Sequence, residues 1–297
     1  MKLSEQLGRR KLLVVTGKGG VGKSALTAVL GRSLAGPGKR VLLLEVDPRE
    51  NLHELFDAPP SDGRLVRLDD NLELQNLKPH GVLDEVVREQ IGIPGLTKRV
   101  MQSPVYRHFV DGAPGLREMA VLGYAWRRLK GYGSWSEQKP DLVILDAPAT
   151  GHGLSLLNAP SLVADVIPKG PFGEMARELR RFAGPGGECG VVVVTLAEEM
   201  PAQEAIELRR AMGRKLALAP DLLCVNALYP ELPANPPDDP LHRLWRTRRG
   251  INDNELARLR EQWREPLCTL PMLPRERGPQ LVDGLMPFLR DALAENA

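Results

Sequence analysis

The chain has 297 residues, of which 42% are hydrophobic and 4% aromatic, enough for one large α/β domain or two small ones with an aliphatic core. The formal net charge of +2 produces no strong field toward nucleic acid or an anionic membrane, so no nucleic-acid partner is expected. The three cysteines, Cys189, Cys224 and Cys268, lie far apart without CxxC spacing, which argues against a disulfide framework or a zinc site within the chain.

The amino-terminal segment contains an apolar run of only four residues before Thr16. Such a run is too short for the core of a signal peptide. No stretch of the sequence approaches the length of a transmembrane helix. We therefore expect a cytoplasmic protein without a transmembrane segment.

Short runs rich in Val and Leu, bounded by Gly, Pro or Asp, predict strands that are buried on both faces. These runs are residues 12–16, 41–45, 142–145, 191–195, 222–225 and 267–270. Helical patterns occupy residues 25–34, 202–216 and 280–293. The alternation predicts an α/β fold, a doubly wound, mostly parallel sheet flanked by helices.

Two further stretches, residues 82–132 and about 159–188, have helical patterns broken by Gly and Pro. Neither contains a convincing strand. We interpret both as helical insertions on one side of the sheet, within a single domain that covers residues 1–297.

A phosphate-binding loop is predicted between the first strand and the first helix, where the sequence fits G-x-x-x-x-G-K-[ST]. Its residues are Gly17, Lys18, Gly19, Gly20, Val21, Gly22, Lys23 and Ser24. The glycines let backbone N–H groups surround phosphate oxygens at a helix N-terminus. Lys23 is expected to reach the β- and γ-phosphates, and Ser24 to bind Mg²⁺. The alternative is a Gly-rich turn without a ligand, which the complete motif in its strand–helix context disfavours.

Two aspartates follow predicted strands near this loop. Asp47 comes after the second strand, in the crevice where open α/β sheets bind ligands. There it is expected to orient the attacking water or accept its proton; the alternative is a plain Asp-Pro turn. Asp146 ends the third predicted strand and is expected to hold Mg²⁺ through a water.

Two features resemble a known group of enzymes. Lys18, at the start of the loop, is typical of the deviant Walker A ATPases. The segment after the third strand resembles switch II of the ArsA family, which includes the eukaryotic ATPase that delivers tail-anchored proteins. It departs in detail, but its Thr-Gly-His is not found in ParA or MinD proteins. The switch residues it suggests are Asp146, Pro148, Thr150, Gly151 and His152.

The resemblance implies that Lys18 reaches the nucleotide of a second subunit, and so a homodimer or a heterodimer with a paralogous ATPase. It also implies that His152 senses the γ-phosphate and that Asn226, Pro271 and Leu273 contact the adenine. The sequence contains no Asn-Lys-x-Asp guanine signature, which favours ATP over GTP.

The sequence lacks the residues that are typical of the two best-known activities of the family. The cysteines do not fall where arsenite ligands occur, and the CxxC and the Met-rich groove insertion of the tail-anchor factor are missing. We therefore predict a Mg-ATP-driven dimeric switch that acts on an unidentified client or membrane partner. The alternative is a ParA- or MinD-like positioning ATPase. Its membrane form is disfavoured because Arg290 is the sole basic residue of residues 280–297.

Overall fold

A computed structural model of the chain describes residues 3–46, 49–131, 139–148, 152–235 and 237–295. Within these residues eight strands form one sheet. The strands are β1 (Leu12–Gly17), β2 (Val41–Glu45), β3 (Leu65–Arg67), β4 (Leu72–Asn76), β5 (Leu142–Asp146), β6 (Cys189–Leu196), β7 (Leu222–Leu228) and β8 (Leu267–Pro271).

Helices connect and cover these strands. In the described ranges they are α1 (Leu3–Arg9), α2 (Lys23–Leu34), α3 (Asn51–Leu55), α4 (Pro79–Ile91), α5 (Pro94–Gln102), α6 (Pro104–Gly112), α7 (Leu116–Lys130), α8 (His152–Val166), α9 (Gly170–Ala183), α10 (Glu199–Leu216), α11 (Pro240–Gln262) and α12 (Pro279–Glu295). None of them combines the length and the apolar composition needed to cross a membrane.

The sheet confirms the predicted fold class. Its strand order is β3-β4-β2-β5-β1-β6-β7-β8, and every neighbouring pair is parallel except β3 and β4. Successive side chains of the central strand point to opposite faces. Leu12 and Val14 belong to the core on one face, and Leu13 and Val15 to the core on the other. Both faces are therefore covered, as the continuous apolar runs predict.

The two stretches predicted to be helical contain α4 to α7 and α8 to α9. Their buried residues pack on the face of the sheet that carries Leu12 and Val14. Helix α7 contacts α4, α8 and α9, so it joins the two stretches on that side. The opposite face is covered mainly by α1, α2, α3 and α12.

Five elements were not predicted: α1, α3, α11, β3 and β4. Two of them, β4 and α11, show why. Strand β4 is half polar, and its Gln75 is buried because the amide donates to the Gly63 carbonyl and accepts from the Tyr124 hydroxyl. Helix α11 is largely exposed, including Arg243, so it lacks the apolar stripe that marks a buried helix. In both cases tertiary contacts stabilise an element whose own pattern is weak.

A buried ion pair fastens β7 to the amino-terminal region. Asp221 accepts from Arg10 Nε at 2.9 Å and Nη2 at 2.7 Å, and from the Val191 amide at 2.8 Å. We expect Asp221→Ala to lower the free energy of unfolding by about 2–3 kcal/mol, because Arg10 and the amide both lose their partner. Urea titration measures this change.

Asp70→Ala is the matched control, because Asp70 forms an exposed ion pair with Arg67 at 2.8 Å. Its free energy of unfolding should stay close to that of the wild type. Equal stability of the two variants would contradict the role assigned to Asp221.

Candidate phosphate-binding site

The predicted phosphate loop and Asp146 lie at the carboxyl edge of the sheet. Parallel pairing places Val15 of β1 opposite Asp146 of β5, and Glu45 of β2 opposite the same aspartate on its other side. Open α/β sheets bind ligands in the crevice outside this edge. The segments that follow β1, β2 and β5 therefore leave the sheet at one place.

Two glycines allow the loop to approach neighbouring strands closely. Gly17 has φ +151°, and a Cβ there would lie 2.2 Å from the Val194 carbonyl oxygen of β6. Gly22 has φ +95°, and a Cβ there would lie 2.1 Å from Asn226 Nδ2. That same amide donates to the Val21 carbonyl at 2.9 Å. The loop is thus held against β6 and β7 by contacts that a larger residue would break.

Helix α2 begins directly after this loop. Its N-cap residue is Gly22, which supplies no side-chain cap for the first N–H groups of the helix. Uncapped N–H groups and the helix dipole favour an anion at this end. The buried side chain of Lys23 places a cation beside them, and its Nζ donates to the Lys18 carbonyl at 2.9 Å.

Ser24 and Asp146 form a pair of oxygen ligands at the same end of α2. The Ser24 hydroxyl donates to Asp146 Oδ2 at 2.5 Å, and the Asp146 side chain is buried. A hydroxyl and a carboxylate are hard oxygen donors of the kind that Mg²⁺ prefers alongside water and phosphate oxygens. The donor set therefore fits the metal expected from the sequence.

These groups line one cavity of about 520 Å³, a volume in the range of small-molecule sites. Its walls come from the phosphate loop, α2, α3, the end of β5 and α12. The lining residues are Gly20, Gly22, Lys23, Ser24, Ala25, Arg49, Asn51, Leu55, Asp146, Ala147, Pro148, Arg277 and Leu281.

Lys18 points away from this cavity. Its Nζ forms an ion pair with Glu204 of α10 at 2.7 Å, and both side chains are partly exposed. The two residues line a second cavity, of about 270 Å³, together with Gly153 and Leu208. The two lysines of the loop therefore line different cavities: Lys23 lines the 520 Å³ cavity, and Lys18 lines the 270 Å³ cavity.

The predicted switch residues are placed only in part. Pro148 lines the phosphate cavity beside Asp146. Asp47, Thr150 and Gly151 lie outside the described residues. His152 begins α8, but its side chain is likewise not described.

Gly153, the next residue after His152, packs against the central strand. A Cβ at Gly153 would lie 1.9 Å from Thr16 Oγ1. The start of α8 therefore runs in contact with the strand that leads into the phosphate loop. This contact links the predicted switch segment to the loop through packing.

The three predicted adenine contacts lie on β7 and at the end of β8, which are neighbouring strands. Asn226 lies against the loop at Gly22, as described above. Pro271 ends β8 and is paired with Leu228, while the side chain of Leu273 packs against the core under α12. The chain after Leu273, residues 274–280, lines a further cavity of about 540 Å³.

Several residues that line the phosphate cavity were not predicted from the sequence. The most informative is Arg277, which belongs to both the 520 Å³ cavity and the neighbouring 540 Å³ cavity. Asn51 and Arg49 lie in the segment after β2. The available signal was their position in the segments that follow β2 and β8, which leave the sheet at the same edge.

Glu45 at the end of β2 and His53 of α3 belong to a buried polar cluster. The Glu45 carboxylate accepts from the Leu52 amide at 3.2 and 3.3 Å, and the side chain of His53 is buried nearby. Burial lowers the pKa of His53, and the Glu50 carboxylate, 3.4 Å from Nδ1, partly offsets this by raising it. Burial therefore favours the neutral form of His53.

The sheet, the glycine loop, the uncapped helix and the buried lysine define a P-loop nucleotide-binding fold. The family model described as anion-transporting ATPase, ArsA ATPase, matches residues 10–187. The chain belongs to this ArsA family of ATPases.

Curated relatives agree with this assignment. ATPase BagA of Mycobacterium tuberculosis is 29% identical over 209 residues, which cover 66% of this chain and 59% of the relative. ATPase GET3 of Eremothecium gossypii is 31% identical over 188 residues, covering 59% and 52%. ATPase GET3 of Lachancea thermotolerans is 32% identical over 177 residues, covering 56% and 49%. The chain thus matches between about half and three fifths of the length of these relatives.

Proposed function

We propose that the protein is an ATP-hydrolysing switch whose Mg-ATP occupies the 520 Å³ cavity. The observation that carries this proposal is the meeting of Lys23, Ser24 and Asp146 at one helix N-terminus. A cation, a hydroxyl and a carboxylate beside the backbone N–H groups of a helix N-terminus match a metal-bound triphosphate.

Each group has a specific task in this proposal. The N–H groups of the loop and of α2 bind the β- and γ-phosphate oxygens, and Lys23 neutralises charge that develops during transfer. Ser24 would hold Mg²⁺ directly, and Asp146 would hold it through a water. When bound, the metal would neutralise negative charge on the phosphates. Asn226 beside Gly22 helps to position the base, together with the chain at Pro271 and Leu273.

Hydrolysis also requires a group that orients water. We assign this role to Asp47, because in the sequence it comes two residues after Glu45, which is paired with Asp146. Phosphoryl transfer to water needs in-line placement more than covalent help, so a positioned carboxylate is sufficient. The residues Pro148, Thr150, Gly151 and His152 act as the switch segment that responds to the γ-phosphate.

Lys18 completes the site of a second subunit in this proposal. Its side chain lies outside the cavity of its own loop, where it pairs with Glu204. Engagement of a partner's phosphate requires this ion pair to break. The second subunit is another copy of this chain or a paralogous ATPase.

The proposed output is movement of the helical stretches. Helices α4 to α7 and α8 to α9 form insertions of a single ATPase domain, and α8 begins at the switch segment. The contact of Gly153 with Thr16 gives a direct route from the loop to α8. A client or membrane partner that binds these helices would be captured or released as the nucleotide changes.

Asp47→Asn tests the hydrolytic assignment. The variant should bind Mg-ATP with unchanged affinity, because the phosphate contacts remain. Its kcat should fall at least about a hundredfold, because the neutral amide of Asn cannot take a proton from the water. Binding is measured by calorimetry and turnover by phosphate release. Wild-type turnover in the Asp47→Asn protein would remove Asp47 from the mechanism.

Glu204→Gln tests the role of Lys18. Loss of a partly exposed ion pair frees the lysine, so ATP-dependent dimerisation should strengthen by about two- to fivefold. Sedimentation velocity with and without ATP measures this change. Glu207→Gln on the same helix is the matched control.

Lys18→Ala tests the same role by removing the lysine, and it should abolish ATP-dependent dimerisation. A Lys18→Ala protein that still dimerises with full activity would contradict the trans role. Unchanged dimerisation of Glu204→Gln would show that the ion pair does not compete with it.

A further inference from the structure

Arg277 joins two parts of the molecule that meet at the mouth of the phosphate cavity. It lies in the loop between β8 and α12. Its Nη2 donates to Asn51 Oδ1 at 2.6 Å, and its Nη1 lies 3.1 Å from Glu54 Oε2. Both partners belong to α3, a helix more than two hundred residues earlier in the chain. One guanidinium therefore ties the carboxyl-terminal loop to α3.

Helix α3 depends on such contacts for its position. It has five residues, fewer than a helix needs to be stable in isolation. The residue before it, Glu50, has φ +51°, an unfavourable conformation for a residue with a side chain. A short helix entered through a strained residue stays in place only when its surroundings hold it.

Two polar anchors hold α3 in addition to the burial of Leu52 and Leu55 in the core. From the sheet, the Glu45 carboxylate accepts from the Leu52 amide. From the carboxyl-terminal loop, Arg277 bonds to the first turn at Asn51 and to Glu54. In the sequence, Asp47 stands between Glu45 and the first residue of α3.

We propose that Arg277 is a positioning residue that fastens α3, whose Asn51 and Leu55 line the nucleotide cavity, to the loop at the mouth of that cavity. Its effect on turnover rests on the proposed ATPase function, whereas the fastening itself does not. Two N–H groups of one planar fork serve two different side chains, a geometry that the single ammonium of lysine does not reproduce.

Arg277 also lines the phosphate cavity. The competing explanation is therefore that Arg277 binds the nucleotide directly. The two roles differ in what they affect. A positioning residue acts on kcat and shares its effect with Asn51, whereas a ligand contact acts on nucleotide affinity and is independent of Asn51.

Hydrogen–deuterium exchange of the nucleotide-free protein tests the fastening without any activity. In Arg277→Ala, amides of residues 49–55 should exchange several-fold faster than in the wild type. Arg277→Lys should not restore the wild-type rate. The control is Arg290→Ala, which removes an exposed arginine of α12 and should leave this segment unchanged. Equal exchange in Arg277→Ala and Arg290→Ala would overturn the proposal.

Steady-state ATP hydrolysis then tests the consequence. Arg277→Ala and Asn51→Ala should each lower kcat about fivefold or more with less than a twofold change in KM, and the double variant should be no slower than either alone. A raised KM with unchanged kcat, or additive losses, would overturn the positioning role. A wild-type protein that hydrolyses no ATP would refute the proposed function, while the exchange result would still decide whether Arg277 fastens α3.

Discussion

The parallel register between β1 and β5 is the constraint on which the site depends. It sets Val15 opposite Asp146, so the phosphate loop and the end of β5 leave the sheet side by side. Ser24 and Asp146 are 122 residues apart in the chain, yet their side chains are 2.5 Å apart. Slipping one strand by a single residue would turn Asp146 to the opposite face of the sheet and away from α2. The buried apolar residues on both faces make such a slip costly, so the core fixes the geometry of the site.

Much of the fold was predictable because its central strands are covered on both sides. Strands such as β1 and β2 are continuous apolar runs, a pattern that does not depend on knowing the neighbours. Strand β4 is different, since Gln75 is buried only because Gly63 and Tyr124 satisfy its amide. Helix α11 is likewise unpredictable from periodicity, because most of its surface faces solvent. The local pattern therefore identifies the apolar strands, including β8 at one edge of the sheet, and misses β3 and β4 at the other edge.

The residues of the candidate site likewise fall into those that the sequence predicts and those that it does not. The phosphate loop was predictable because its function requires fixed residues at fixed spacing, and the conformations of Gly17 and Gly22 give the physical reason for two of them. Glu204 and Arg277 were not predictable, because each acts through a side chain brought to it by the tertiary fold. Sequence therefore indicates the chemistry of the site, whereas the partners that position it emerge only from the packed structure.

The central claim is that the cavity at the start of α2 binds the phosphates of ATP through Lys23. Isothermal titration of Mg-ATP into the wild type and into Lys23→Met tests it most directly, since methionine retains the apolar stem and removes the charge. The account predicts one Mg-ATP bound per wild-type chain and an affinity at least about tenfold weaker in the variant, a loss of more than about 1.4 kcal/mol. Equal affinity of the two proteins for Mg-ATP would contradict it.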